Sequence, residues 1–272
     1  MDRIIDLLIE NIRLKQSIII ALSGGVDSSV VAALAFKALG RKAFAVTINS
    51  PLVPSSDLED ALKVSKYIGI KHITIPINEL TLPGFETNPV NRCYLCKKYR
   101  FKKIIEFAEK MGIQTVADGT TADDVNEYRP GLNAIKELNV YSPLLEARLH
   151  KNEVRDIAKA LNLPIYSKPS NSCLATRIPY NEKLTIERLR RIDTAEKIVK
   201  NLVDVKLLRI RDHSPIARIE VMPEDLQKIV SENVREKIVE ALKSLGFEFI
   251  TVDLMGYTFG CYDKKYYKNE EK

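Results

Sequence analysis

Ser17-Ile18-Ile19-Ile20-Ala21-Leu22-Ser23-Gly24-Gly25-Val26-Asp27-Ser28-Ser29 decides how this chain is read. An apolar run of strand length, Ile18 to Leu22, breaks at a Ser-Gly-Gly turn, and a helical pattern from Ser28 to Leu39 follows at once. Glycines let backbone turn sharply and approach a ligand without side-chain interference. A helix N-terminus supplies unpaired N–H groups and a partial positive charge, so an anion belongs there. No lysine follows the second glycine as in a P-loop, and the Gly-x-Gly-x-x-Gly of a dinucleotide fold is missing. The plainer reading is a turn in which Asp27 or Ser28 caps a helix.

Outward from this stretch the same alternation repeats. Strands are expected at Ala43 to Thr47, His72 to Ile77 and Thr115 to Ala117, with helices at Ser56 to Ile68, from near Cys96 to Met111, and at Lys151 to Leu161. Strand and helix in alternation imply right-handed crossovers and an α/β, doubly wound parallel sheet. The irregular stretch Pro164 to Asn181 carries three prolines, and a boundary is placed there, giving domains 1–180 and 181–272. Beyond it come a helix (Thr185 to Val199), strands at Val205 to Asp212 and Ile216 to Val221, one or two helices, and a strand at Phe249 to Asp253. That order indicates a smaller C-terminal α+β domain. A polar tail after Asp263 is expected to fray.

Composition narrows the class. With 272 residues, 45% hydrophobic and 29% charged, the chain has the make-up of an ordinary soluble globular protein. No apolar run approaches the roughly 20 residues of a membrane span, and MDRIIDLLIENIRLKQ is charged throughout, as an amphipathic helix is and a secretion signal is not. A cytoplasmic location is expected. The net charge of +6 favours anionic partners. Four cysteines, two of them spaced as Cys93-x-x-Cys96, suit metal or redox chemistry better than a disulfide scaffold.

The loop resembles the SGGxDS signature of the N-type ATP pyrophosphatases, the PP-loop superfamily, which split ATP between its α and β phosphates. By that resemblance Ser23, Gly24, Gly25, Asp27, Ser28 and Ser29 hold the departing pyrophosphate, with Asp27 helping to position Mg2+. Within the superfamily the chain is similar to the LarE sulfur transferases. The stretches that carry the likeness are Asn88 to Lys97, Asp118 to Asp124, Tyr128-Arg129-Pro130-Gly131, Ser142 to Glu146, Lys168 to Tyr180, Ile192 to Glu196, Arg209 to His213 and Ala217 to Val221. The resemblance implies adenylation of a carboxylate of pyridinium-3,5-biscarboxylic acid mononucleotide and its conversion to a thiocarboxylate. AMP is a far better leaving group than hydroxide when sulfur attacks.

Cys173 aligns with the family's sacrificial cysteine, and Lys168 and Arg177 are basic neighbours suited to lowering a thiol pKa. Some relatives with three cysteines bind a 4Fe-4S cluster instead, so the resemblance implies Cys93, Cys96 and Cys173 as its ligands, with sulfide on the fourth iron. Structural zinc, a redox disulfide or simple buried thiols stay open for the Cys93 and Cys96 pair. Cys261 has no place in the scheme and reads as a small buried hydrophobe.

Arg209, Arg211, Glu196 and Glu220 fall at positions the resemblance associates with substrate, phosphate or sulfur transfer. Arg209 and Arg211, two apart on a strand, share one face. Otherwise that face is solvated and the arginines merely pair with Glu196 or Glu220. Asp123 and Asp124 suit either magnesium or a helix cap; His72 and His150 read as structural, and His213 as a weak candidate. Expected partners are ATP, an anionic mononucleotide, a sulfide donor and further copies of the chain. An RNA-thiolating enzyme is the runner-up, ahead of a nucleotide-binding protein without turnover and of a glutamine-fed amidation enzyme; no RNA-binding domain or stacking motif stands out.

Overall fold

A computed structural model describes residues 2–126 and 130–262, so Tyr128, Arg129 and the tail after Asp263 lie outside the described residues. Two compact units emerge: Met1–Glu79 with Asn91–Asn171, and Leu80–Val90 with Ser172–Lys272.

The first unit is built on four parallel strands, β1 (Ile18–Ala21), β2 (Ala43–Asn49), β3 (Lys71–Pro76) and β4 (Val116–Ala117), in the order β3-β2-β1-β4. Its main helices are α1 (Asp2–Arg13), α2 (Val26–Leu39), α3 (Ser55–Ile68), α4 (Arg92–Lys110) and α5 (Lys151–Ala160). The triple isoleucine of β1 serves both faces, as alternation in a strand requires. Ile18 and Ile20 join one core with α1, α2 and α5, while Ile19 joins another with Val46, Ile48 and Phe101, Ile104 and Ala108 of α4. Val30 to Ala35 of α2 are all buried, which suits a helix packed from several sides. This is the doubly wound α/β arrangement expected from the alternation. β1 also marks the switch point: the chain moves from it to β2 and β3 on one side and later to β4 on the other. In open α/β sheets ligands bind outside the carboxyl ends of the strands at such a point. The Ser-Gly-Gly turn leaves β1 there.

The second unit carries β5 (Leu208–His213), β6 (Ile216–Val221) and β7 (Phe249–Val252), in the order β5-β6-β7, antiparallel then parallel. Helices α6 (Ile186–Leu202) and α7 (Glu232–Ser244) pack on it through Ala195, Val199, Ile238 and Leu242. This is the small second sheet anticipated. The unit also takes in residues 80–90: the Asn88 side-chain amide donates to the carbonyls of Ile178 and Pro179 at 3.0 and 2.7 Å. The expected boundary had followed the irregular stretch Pro164 to Asn181 and the change of element order beyond it, and lay at 180/181.

Candidate functional site

In the first unit the turn after β1 is held from several directions. Gly24 has φ +76°, and a Cβ there would stand 2.3 Å from the Asp57 carbonyl oxygen and 2.9 Å from the Ala61 nitrogen. Only glycine fits both the conformation and the space. Gly25 occupies the N-cap of α2, the Ser29 hydroxyl donates to its carbonyl at 2.7 Å, and the hydroxyls of Ser23 and Ser28 meet at 3.0 Å. Ser29 is fully buried and braces the turn from inside, whereas Ser23 is exposed and Asp27 half-buried.

The turn Asp118–Thr121 closes on the same place from β4. A Cβ on Gly119 would lie 2.6 Å from the Ser28 nitrogen, so the two turns touch backbone to backbone. Buried Asp118 stiffens that turn, accepting from Ser142 Oγ at 2.7 Å and from the Thr120 hydroxyl at 2.5 Å. Asp124 accepts from the Thr121 N–H at 2.9 Å, and Asp123 from the Lys151 N–H at 2.6 Å and His150 Nδ1 at 2.9 Å. Both aspartates hold helix ends, which favours the capping reading. His72 hydrogen-bonds Thr47 Oγ1 at 2.7 Å, a structural contact, and burial pushes its pKa down.

Lys168 also serves the Gly24 turn. Its Nζ donates to the Gly24 carbonyl at 2.9 Å and pairs with Asp57 and Asp60 at 2.8 and 2.7 Å. It locks the glycine turn to α3, a role its motif gave no hint of.

α4 begins one turn earlier than expected, so Cys93 and Cys96 both lie near its start, three residues apart and thus on one side. Cys93 is exposed; Cys96 Sγ lies 3.7 Å from Oε1 of Glu79, a fully buried carboxylate that also takes Arg100 Nε at 2.6 Å. Cys173 belongs to the second unit. Among the described residues no three His, Cys, Asp or Glu side chains gather as a metal ion would need. Cys93 and Cys96 thus share one helix turn, and the three-thiolate set is carried by the resemblance.

In the second unit Cys173 caps the 3-10 helix Leu174–Arg177 and is half-buried. Arg177, fully buried, organises this segment. It donates to the Ser172 and Cys173 carbonyls at 2.8 and 3.1 Å and grips Glu196 through Nε and Nη2 at 2.8 and 3.1 Å. Burial alone would push the Glu196 carboxyl up, but Arg177, with Arg209 and the Ile210 N–H, brings it below its ordinary value.

Arg209 and Arg211 share β5, with Glu220 directly across from Arg209 on β6. Glu220 is nevertheless held by Arg211, at 2.9 and 2.8 Å, and by Arg218 at 2.9 Å. Arg211 also donates to the Thr176 carbonyl at 2.6 Å, which ties the Cys173 segment to the sheet. Glu196 belongs to Arg177. The face is not solvated, since Arg209 and Arg211 are only 3% and 5% exposed, but the pairing that the alternative named is present between Arg211 and Glu220. Burial and the charge of Arg177 bring the Arg209 pKa down to about 10. A cation so placed favours an incoming anion. His213 meets Tyr262, not a charged ligand set. Cys261 is half-buried.

A family model described as NAD synthase matches residues 2–231. The chain belongs to the NAD synthase family. An uncharacterised protein of Synechocystis is 40% identical over 89% of this chain and 90% of its own length. An uncharacterised protein of Methanocaldococcus jannaschii is 34% identical over 89% and 91%. The pyridinium-3,5-bisthiocarboxylic acid mononucleotide synthase of Lactiplantibacillus plantarum is 31% identical over 90% of this chain and 88% of its own, which places this family member with the LarE group. Among the described residues no helix is long and apolar enough to cross a membrane.

Proposed function

We propose that this protein is an ATP-dependent sulfur transferase that adenylates a carboxylate of an anionic pyridinium mononucleotide and converts it to a thiocarboxylate. The observation that carries the reading is the meeting of the two glycine turns at the switch point of the sheet, where Gly24 and Gly119 exclude any side chain. Likeness to the L. plantarum synthase over nine-tenths of the chain supports the choice of acceptor.

A carboxylate oxygen attacks the α-phosphorus of ATP and pyrophosphate departs toward the N-terminus of α2, where free N–H groups and the helix dipole meet its charge. Mg2+, when bound, offsets further phosphate charge, and Asp27 is the loop carboxylate suited to it. The Cys173 sulfur then attacks the acyl carbon and AMP leaves, giving a thioester. Loss of the Cys173 Cα proton with cleavage of its Cβ–Sγ bond releases the thiocarboxylate and leaves dehydroalanine. Arg177 fixes the Cys173 backbone, and Arg209 and Arg211 favour the acceptor's anionic groups.

The test is pyrophosphate release from ATP by the full chain given the mononucleotide. Asp27→Ala is expected to remove it while leaving the fold intact. Unchanged release in that variant would refute the assignment of the loop.

A further inference from the structure

In the second unit two aromatic rings sit on the two arginines of the acceptor site. The Arg209 guanidinium lies 5.6 Å from the Tyr257 ring centre and that of Arg211 lies 5.3 Å from the Tyr262 ring centre. Both tyrosines keep part of their surface open, whereas both arginines are buried.

The rings are held there by their own segment. Gly256 turns the chain at φ +70°, with room for no Cβ, since one would stand 2.8 Å from the Val221 carbonyl oxygen. The next N–H, of Tyr257, donates to that carbonyl at 2.7 Å, and the Tyr262 hydroxyl meets His213 Nε2 at 3.1 Å.

We propose that Tyr257 and Tyr262 set the specificity of the acceptor site, selecting anions that carry a flat aromatic ring by receiving that ring against their phenol faces. This deepens the proposed function and rests on its assignment of Arg209 and Arg211 to the acceptor.

Charge and shape agree with it. Burial and the charge of Arg177 lower the pKa of Arg209, and a buried cation beside Arg177 and Arg211 favours an incoming anion. That attraction does not distinguish one anion from another. Ring faces do, because stacking rewards only a ligand with a π-face. Burial keeps the Tyr262 hydroxyl protonated well past neutral pH, so the ring adds no negative charge beside an anionic ligand. If the rings merely shielded the guanidiniums, they would treat all anions alike.

Calorimetric titration of the full chain with nicotinic acid mononucleotide and with ribose 5-phosphate separates the two roles. The first carries a ring and the second does not. Wild type is expected to prefer the mononucleotide by about tenfold or more, and Tyr257→Leu or Tyr262→Leu to cut that preference by about tenfold each. Tyr262→Phe keeps the ring and should keep the preference. Leucine variants that weaken both ligands equally, or leave the ratio unchanged, overturn the inference. A wild type that binds neither ligand overturns it together with the acceptor assignment. Pyrophosphate release from ATP, measured on the same protein, reports separately on the adenylation reading.

Discussion

At the scale of single residues, Gly24 and Gly25 look alike in sequence and differ in physics. Alanine at Gly24 must adopt a left-handed conformation and overlap the backbone of α3. It should lose about 2–4 kcal/mol of stability, a sum of the conformational and overpacking costs. Alanine at Gly25 meets only Ser23 Oγ, at 3.4 Å, and φ there is −93°. It should leave the thermal midpoint nearly unchanged and impair only pyrophosphate release. Equal midpoints for the two variants would sink this account. Arg209 and Arg211 differ in the same way. Arg211→Ala strips buried Glu220 of two hydrogen bonds, so stability should fall by about 3–5 kcal/mol along with function. Arg209→Ala is the cleaner probe of the acceptor. It should weaken acceptor use by about 1.5–3 kcal/mol and change ATP affinity less; equal losses for both ligands would place Arg209 elsewhere.

Between elements, the joint of α6 with β5 rests on Asp212, fully buried and accepting from Arg188 at 3.0 Å and Arg191 at 2.6 Å. Burial alone would raise its pKa, but the two arginines and the Ser214 N–H hold it below its ordinary value of 3.8. A carboxylate depressed in the folded state contributes stability that is complete above the unfolded pKa and is lost as pH falls through the folded one. Wild type should therefore lose part of its stability below pH 3.8. Asp212→Asn should lower stability at neutral pH by about 3–5 kcal/mol and flatten that acid limb, as read from urea unfolding against pH. An unchanged acid limb would show that other carboxylates carry it. Elements of this kind were largely legible beforehand. Period-two spacing put Arg209 and Arg211 on one strand face, and the apolar runs located the strands of the parallel sheet. Partners were not legible, because separation along the chain does not say which carboxylate meets which arginine. The packing of α6 assigns Glu196 to Arg177, and Arg211 reaches Glu220 even though the register of β6 sets that residue across from Arg209. The partners of Lys168 were not legible either, since Gly24, Asp57 and Asp60 lie more than a hundred residues away along the chain.

For the molecule as a whole the open variable is where the sulfur comes from, and the two schemes differ in stoichiometry. If Cys173 gives up its own sulfur, each chain makes one thiocarboxylate and then stops, having lost about 34 Da, the mass of H₂S. If three thiolates hold a cluster with a free iron, added sulfide restores the donor and the chain turns over repeatedly with its mass unchanged. Cys93 and Cys96 sit together at the start of α4, and the predictions that follow are those of the first scheme. Cys173→Ala should abolish thiolation while ATP-driven pyrophosphate release persists, since the adenylation step uses none of its atoms. Cys93→Ala and Cys96→Ala should still yield their single product. Anaerobic purification with iron, sulfide and zinc analysis, followed by intact mass after turnover, reads every arm of this comparison. Several products per chain with Cys173 intact, and loss of that activity in Cys93→Ala, would transfer the sulfur chemistry from the polypeptide to a bound cluster.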